Sequence, residues 1–174
     1  MAERISEHPV QHRLKLRNLR LSDYGDIREI MDVVYHNMDG AWTREQFASQ
    51  IARFPEGQIC IEDNGRVVAA ALSLIVDYGR YGDRHTYWQI IGDGYITTHD
   101  PNGDTLYGVD IFVHPDYRDM RLGRRLYDAR KELCEKLNLR AIILGGRIPG
   151  YSRYAHDLTP QQYVEMVKAK ELQH

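Results

Sequence analysis

Basic residues are concentrated between residues 118 and 131, and their spacing suits the binding of an anion. Six basic side chains stand there against the acids Asp119 and Asp128; they are Arg118, Arg121, Arg124, Arg125, Arg130 and Lys131. A helix that begins near Leu122 would present unpaired backbone N–H groups and the positive end of its dipole beside these cations. Gly123 would let the backbone approach a ligand without a Cβ in the way. The pattern indicates a site for a phosphorylated cofactor, and a solvated basic helix face remains the alternative.

A strand before this stretch and a helix within it would position the site. The strand begins at Tyr107, with β-branched residues at alternate positions, and Pro115 ends it because proline cannot donate to a ladder. The helix is predicted from apolar residues at spacings of three and four: Leu122, Leu126, Ala129, Leu133 and Leu137. The short loop 116–121 joins the two elements, so the sequence predicts a strand–loop–helix unit.

The run VHPDYRDMRLGRRL, from Val113 to Leu126, resembles the acetyl-CoA-binding motif of the GNAT superfamily of N-acetyltransferases. That motif is (Arg/Gln)-x-x-Gly-x-(Gly/Ala) after a strand that ends in hydrophobic-x-Pro. Arg118 takes its first position and Gly123 its last. The resemblance implies the acyl-CoA N-acyltransferase fold, an α/β (α+β) arrangement in which helices flank a central mixed, mostly antiparallel sheet. It also implies acetyl-CoA as cosubstrate and an amine as acceptor.

The resemblance places the cofactor on the loop and the start of the helix. It implies that the pyrophosphate lies on the loop amides and that a backbone N–H near Phe112 or Val113 polarises the thioester carbonyl. The residues it implies for cofactor binding are Phe112, Val113, Arg118, Asp119, Met120, Arg121, Leu122, Gly123 and Arg124. Arg121 stands where the family usually has a glycine. The arginine either keeps the loop shape and adds a charge near the phosphates, or weakens binding.

Acyl transfer also needs groups that move protons. By the resemblance, a base is expected near the strand and a tyrosine acid beyond the next strand. Asp110 and His114 are the titratable candidates on the strand, and Tyr151 and Tyr154 are the candidate hydroxyls. The alternatives are that His114 is a surface residue and that Asp110 caps a bulge. Ligand spacing typical of a metal site is absent from the sequence, and no metal is predicted.

Earlier segments of the chain are expected to complete the sheet and wall the acceptor side. The sequence predicts a strand near Leu14, a helix capped by Ser22 and a helix capped by Thr43 with Gln46. The resemblance implies that these helices bring Tyr35, His36 and Trp42 to the acceptor, although each could simply pack. Asn64-Gly65 predicts a hairpin between strands 58–62 and 66–75. Residues 77–106 are interpreted as an extended covering loop with a short helix near Trp88.

The C-terminal part predicts another strand and a last helix. Residues 140–144 read as a buried strand that, by the resemblance, diverges from the strand before the motif to admit the pantetheine arm. Thr159, Pro160 and Gln162 predict a helix start. The pattern LGGRIPGY…LTPQQYVEMVKAKEL resembles the acetyltransferase-like N-terminal domain of proteins fused to a nitrilase-type carbon–nitrogen hydrolase. That resemblance implies a sheet without its last two strands and a C-terminally incomplete fragment, with a homodimer or a fused hydrolase domain as partner.

Composition sets the outer bounds. The chain has 174 residues and a net charge of −2, which fits one domain, predicted at 13–174 after a flexible leader at 1–12, and gives no indication of nucleic-acid binding. The two cysteines, Cys60 and Cys134, fall in apolar segments and indicate a reducing compartment. No apolar run approaches membrane-spanning length, so we expect no membrane partner and a cytoplasmic location.

Two functions therefore remain open at this stage. The first is a working N-acetyltransferase that uses acetyl-CoA on a small-molecule or protein amine. The second is a degenerate GNAT domain that acts as a CoA-sensing or protein-interaction module.

Overall fold

The computed structural model describes residues 11–36 and 40–172. Its contacts divide the chain into two compact units, Met1–Leu144 and Gly145–His174. Most of the predicted leader, 1–12, lies outside the described residues. The prediction that 13–174 form a single domain stays a prediction.

A five-stranded sheet forms the centre of the first unit. Its strands lie in chain order, β1 to β4 antiparallel and β5 parallel to β4. This confirms the predicted mixed, mostly antiparallel sheet. The described residues after β5 contain no further strand. The strands are β1 (Leu14–Asn18), β2 (Ile59–Asp63), β3 (Arg66–Val76), β4 (Thr105–Val113) and β5 (Ala141–Leu144).

Six α-helices are present in the described residues. Capping boxes of Thr43 with Gln46 and of Thr159 with Gln162 begin the second and last helices, as predicted. The first helix starts at Tyr24 rather than after Ser22, because Leu21–Asp23 form a 3-10 turn and the Asp23 carboxylate accepts the Arg20 N–H. The helices are α1 (Tyr24–Val34), α2 (Arg44–Arg53), α3 (Tyr78–Tyr81), α4 (Tyr87–Ile90), α5 (Leu122–Lys136) and α6 (Pro160–Lys168).

The β2–β3 hairpin forms as its turn sequence predicts. Asn64 and Gly65 adopt φ angles of 51° and 90°, which the tight turn requires. Every residue of β3 after Arg66 is buried, as predicted for a strand covered on both faces. β3 contributes to two core clusters: Leu72 packs in the cluster of α1 and α2, whereas Ala71 packs in the cluster of α5.

Residues 77–104 form the covering segment, with short helices at Tyr78–Tyr81 and Tyr87–Ile90. The predicted loop 77–106 is wrong in its last two residues, because β4 begins at Thr105. The packing side chains of the segment are isoleucines as well as aromatics, since Ile90, Ile91 and Ile96 are fully buried. Side chains of α2 hold its backbone in place. Gln46 Nε2 donates to the Asp93 carbonyl, Ser49 Oγ to that of Tyr95, and Gln50 Nε2 to that of Gly94, over 2.9, 2.7 and 2.7 Å.

The second unit contains a 3-10 turn, Tyr151–Arg153, and α6. Tyr163 on α6 is buried within it. Its hydroxyl donates to the Pro149 carbonyl, and its ring contacts the rings of Tyr151 and Tyr154.

Candidate functional site

A β-bulge and a gap lie side by side on β4. The pairing with β3 shifts between Leu72 and Ser73, which leaves Val109 as the extra residue on β4. β5 pairs with β4 only as far as Gly108, opposite Leu144. Beyond that point β4 continues to Val113 without a described partner strand on the β5 side. The expected divergence of the two strands stays a prediction.

Backbone alternation determines which N–H groups of β4 face this gap. The N–H of His114 donates to the Val68 carbonyl on β3 over 2.8 Å. Because N–H groups alternate along a strand, that of Phe112 also points to β3, whereas those of Ile111 and Val113 point to the gap. The N–H of Ile111 donates to Asp110 Oδ1 over 2.9 Å. Phe112 and Val113 were the two residues whose N–H was expected to polarise the thioester carbonyl. Of these two N–H groups, that of Val113 is therefore the one that points into the gap.

The loop after β4 is a 3-10 turn, Pro115–Met120, followed directly by α5. Arg121 joins them with φ 56° and ψ 28°, the left-handed conformation that glycine adopts most easily. The arginine thus keeps the backbone shape that the motif glycine would give. Its neighbours Arg118, Asp119 and Arg124 are exposed, and a Cβ added to Gly123 would meet open space.

The side chains of Met120 and Leu122 pack in the core beside this loop. Leu122 is fully buried, and Met120 packs against the core cluster of α5. These two side chains are structural, so binding at positions 120 and 122 would have to use their backbone amides.

One residue of the basic cluster is not at the surface. Arg130 is only 1% exposed and lies inside the fold, whereas Lys131, next to it, is exposed. The sequence interpretation that grouped Arg130 with the surface cations is wrong. The signal was present, because the spacing of four through Leu122, Leu126, Arg130 and Cys134 describes one buried stripe.

A buried carboxylate at the β2–β3 turn holds the loop between β4 and α5. Asp63 is 6% exposed and accepts the Tyr117 hydroxyl over 2.9 Å, the Arg13 N–H over 2.7 Å and His12 Nδ1 over 2.7 Å. The bond from His12, then that from Arg13, lowers the pKa of Asp63. The sequence analysis did not find this cluster, since residues 12, 63 and 117 share no local pattern.

Asp110 lies at the bulge, and the structure brings two predicted acceptor residues to it. Tyr35 donates its hydroxyl to Oδ1 over 2.6 Å, and Trp42 donates Nε1 to Oδ2 over 3.2 Å. Burial raises the pKa of Asp110, although these bonds and the Ile111 N–H act in the opposite direction. A half-buried carboxylate with a raised pKa beside a gap can serve as a base.

The two histidines near this region do other things. His114 Nδ1 accepts the Asp116 N–H over 3.2 Å, so the ring caps the 3-10 turn. His36 is exposed, and its Nδ1 lies 3.2 Å from the Val33 carbonyl.

Aromatic residues of the covering segment extend the surface around Asp110. Trp88 is 49% exposed and packs edge-on against Trp42, with 6.2 Å between ring centroids. Tyr87 donates its hydroxyl to the Val109 carbonyl over 2.7 Å, directly at the bulge. Tyr87 and Trp88 are therefore further candidate residues for the acceptor side.

His85 and Tyr107 form a second polar pair in the first unit. His85 Nδ1 lies 2.6 Å from the Gly82 carbonyl, which can only accept, so Nδ1 carries the proton. Nε2 lies 3.2 Å from the Tyr107 hydroxyl, within hydrogen-bond distance. Burial raises the pKa of Tyr107.

The predicted hydroxyl donors, Tyr151 and Tyr154, both lie in the second unit. The Tyr151 hydroxyl donates to the Leu158 carbonyl over 2.8 Å. Tyr154 packs its ring on Tyr163, with 5.4 Å between centroids.

Neither a metal-binding cluster nor a membrane-spanning helix is found among the described residues. Residues 11–36 and 40–172 contain no group of three or more His, Cys, Asp or Glu side chains that could hold a metal ion. Among the helices of the same residues, none is both long and apolar enough to cross a bilayer.

Comparison with known proteins is consistent with this geometry. The sequence profile of the acetyltransferase (GNAT) family matches residues 24–155. A Bacillus subtilis (strain 168) protein described as "Probable hydrolase YhcX" is 41% identical over 167 residues, which are 96% of this chain and 32% of that protein. The "Uncharacterized N-acetyltransferase YkwB" of the same organism is 42% identical over 126 residues, 72% of this chain and 56% of that protein.

A solved structure shares the fold at low sequence identity. It is the GphF GNAT-like decarboxylase in complex with isobutyryl-CoA, with a TM-score of 0.67 and 20% identity over 87% of this chain and 75% of that one. The chain spans about a third and about half of the two bacterial relatives. With the family profile matched over most of its length, the chain belongs to the acetyltransferase (GNAT) family.

Proposed function

We propose that this chain is an N-acetyltransferase that transfers an acetyl group from acetyl-CoA to an amine. The observation that carries the proposal is the arrangement on β4. There the Asp110 carboxylate, the gap beside Val113 and the basic loop at the start of α5 follow one another within a few residues. A base, a hydrogen-bond donor and a phosphate site are the three things that the reaction needs.

The loop residues fit the phosphates of a CoA. The N-terminus of the 15-residue helix α5 offers unpaired amides, and Arg118, Arg121 and Arg124 place positive charge around it. Space in front of Gly123 lets a ligand reach the backbone. Acetyl-CoA as the particular acyl donor is part of the proposal.

In the proposed mechanism, Asp110 accepts a proton from the acceptor ammonium, which leaves a neutral amine. The amine attacks the thioester carbon, and the Val113 N–H donates to the carbonyl oxygen as negative charge develops there. The C–S bond then breaks, and the second proton of the nitrogen passes to the departing thiolate, so CoA leaves as the thiol while Asp110 keeps the first proton. Tyr151 and Tyr154 are the proposed candidates to relay this second proton, and the Tyr151 hydroxyl donates to the Leu158 carbonyl.

The cellular setting is also a proposal. Cys60 and Cys134 are free and buried, which supports a reducing, cytoplasmic compartment. The match to about a third of YhcX supports a partnership with a hydrolase domain, and a homodimer is the alternative partner.

The second candidate is a CoA-sensing or interaction module without turnover. Arg121 in the motif favours it, because a left-handed arginine carries backbone strain that a glycine would not.

Calorimetry with acetyl-CoA, followed by a thiol-release assay over a panel of amines, separates the two candidates. The enzyme binds acetyl-CoA and releases thiol only with an acceptor, and Asp110→Asn loses the release but keeps the binding. Binding without release on any amine favours the sensor. A chain that does not bind acetyl-CoA is neither.

A further inference from the structure

Arg130 is a buried cation whose side chain donates hydrogen bonds to a hydroxyl and to two backbone carbonyls, rather than to a carboxylate. It lies on the sheet side of α5, and its guanidinium donates from Nε to Ser73 Oγ over 3.1 Å. Nη2 donates to two carbonyls, that of Leu72 on β3 over 2.6 Å and that of Asp110 on β4. Burial lowers the pKa of Arg130, yet an arginine remains protonated in proteins. Burying such a charge is unfavourable, so its position calls for a physical explanation.

The three acceptors of Arg130 mark the bulge itself. Leu72 and Ser73 are the residues between which the β3–β4 pairing shifts, and Asp110 is the β4 partner of Leu72. On the β4 side, Gly108 leaves the room that the guanidinium occupies, since a Cβ there would lie 3.2 Å from Nη1. Arg130 therefore bridges the two strands at the point where the extra residue of β4 is accommodated.

Through this bridge Arg130 acts on the Asp110 carboxylate in two ways. By fixing the Asp110 carbonyl, it fixes the backbone from which the carboxylate projects. The hydrogen bonds that the carboxylate itself accepts come from three neutral donors, which are the Tyr35 hydroxyl, Trp42 Nε1 and the Ile111 N–H. Among the described residues, Arg130 is the cation whose charge acts on Asp110 from α5. Tyr87, from α4, contacts the neighbouring Val109 carbonyl rather than the carboxylate.

We propose that Arg130 is a positioning residue for acyl transfer, which orients Asp110 by bridging the β-bulge and favours its ionised form by its charge. The proposal rests on the proposed role of Asp110 as the base. An apolar side chain could fill the same space, but it would leave two carbonyls with fewer donors and the carboxylate without a nearby cation.

The test measures the coupling of the two side chains without turnover. The full chain is labelled with carboxyl-¹³C aspartate, and Asp110→Asn identifies the Asp110 resonance by its loss. In Arg130→Met we expect the titration midpoint of Asp110 to rise by about half a unit to one unit. Lys131→Met removes the same charge from the exposed neighbouring position and leaves the midpoint unchanged. If folded Arg130→Met keeps the wild-type titration midpoint of Asp110, the proposal that the Arg130 charge favours the ionised carboxylate is overturned.

A reciprocal measurement covers the case in which Arg130→Met does not fold. The ¹⁵Nε resonance of Arg130 in the wild-type chain is expected to shift with pH at the Asp110 midpoint, and this shift is absent in Asp110→Asn. An Arg130 resonance that stays constant through that midpoint would overturn the coupling.

Kinetics of Arg130→Lys test the orienting part of the proposal. Lysine keeps the charge but cannot bridge both strands in the same way. We expect kcat to fall about tenfold or more, with the KM for acetyl-CoA within about twofold of wild type. An unchanged kcat contradicts the orienting role. If the wild-type chain transfers no acetyl group, the proposed function fails, while the two titrations still decide whether Arg130 and Asp110 are coupled.

Discussion

The hydroxyl of Tyr117, in the turn before α5, donates to the carboxylate of Asp63 at the end of β2 over 2.9 Å. Tyr117 directly precedes Arg118, the first residue of the stretch that resembles the acetyl-CoA-binding motif of the family. The rings of His12 and His114 pack edge-on against Tyr117, at 5.6 and 6.1 Å between centroids. The loop proposed to bind phosphate is thus held by a residue of the opposite hairpin, 54 positions away.

Tyr117→Phe is expected to weaken CoA binding by about three- to tenfold, because the loop loses a hydrogen bond worth about 1 kcal/mol. Calorimetry with CoA measures the change. Tyr95→Phe makes the same substitution at an exposed tyrosine and serves as the control. Equal CoA affinity in Tyr117→Phe and wild type would show that the bond to Asp63 has no part in binding.

Asp63→Asn is expected to destabilise the fold in a pH-dependent manner. The pKa of Asp63 is lowered in the folded chain, so the carboxylate contributes stability above its unfolded pKa, near 4. That contribution is lost as the pH falls through the lower folded value. Urea unfolding at pH 7 and at a series of acidic pH values measures the free energy of unfolding. The difference in this free energy between variant and wild type should disappear below about pH 4. A difference in the free energy of unfolding that stays constant with pH contradicts this prediction.

Asp110 should determine the acidic limb of the pH–rate profile. Because its pKa is raised by burial, kcat/KM should fall at a higher pH than an ordinary aspartate would give, as the carboxylate becomes protonated. Asp110→Asn should lower kcat by about 10²- to 10⁴-fold and remove this limb. Trp42→Phe, which removes one donor to the carboxylate, should move the limb to higher pH. A limb that persists in Asp110→Asn assigns the base to another residue.

Arg121→Gly should separate backbone strain from ligand contact. Glycine at a φ of 56° relieves strain of about 1 kcal/mol, so the variant should be at least as stable as wild type. Loss of the guanidinium should nevertheless weaken CoA binding by about three- to tenfold. Asn138→Gly, at a φ of 52° just beyond α5, is the control for strain without ligand contact. Tighter CoA binding by Arg121→Gly would mean that the arginine erodes the site.

Gly108→Ala is expected to destabilise the fold by about 1 to 3 kcal/mol. Its Cβ would lie 3.0 Å from Leu144 Cβ and 3.2 Å from Arg130 Nη1, between β5 and the buried guanidinium. Gly25→Ala in α1, where nothing lies within 4 Å, should be neutral or stabilising because alanine favours helices. Thermal unfolding measures both variants, and equal melting temperatures for Gly108→Ala and wild type would contradict the close packing.

Local chemistry made much of the fold predictable. Thr43 with Gln46, Asn64 with Gly65, and the leucine spacing after Leu122 each specify a short structure through neighbours in sequence, and each prediction was confirmed. The family resemblance added the sheet type and the position of the loop.

Contacts between distant segments were beyond what the sequence could show. Arg130 was taken as a surface cation because charge usually means exposure, whereas the sheet provides three oxygen acceptors for it. The Asp63 cluster joins three elements that no local pattern connects. Asp110 was a candidate from its strand position, but its donors Tyr35 and Trp42 come from segments about 70 residues earlier, as their separations of 75 and 68 show.

The three bonds from Gln46, Ser49 and Gln50 to the carbonyls of 93–95 have a consequence for engineering. Trp88 and its neighbours cannot be exchanged as a cassette, because a grafted segment of different shape would leave the buried Gln50 amide without its carbonyl partner. Any redesign of the aromatic segment would therefore have to include the second helix.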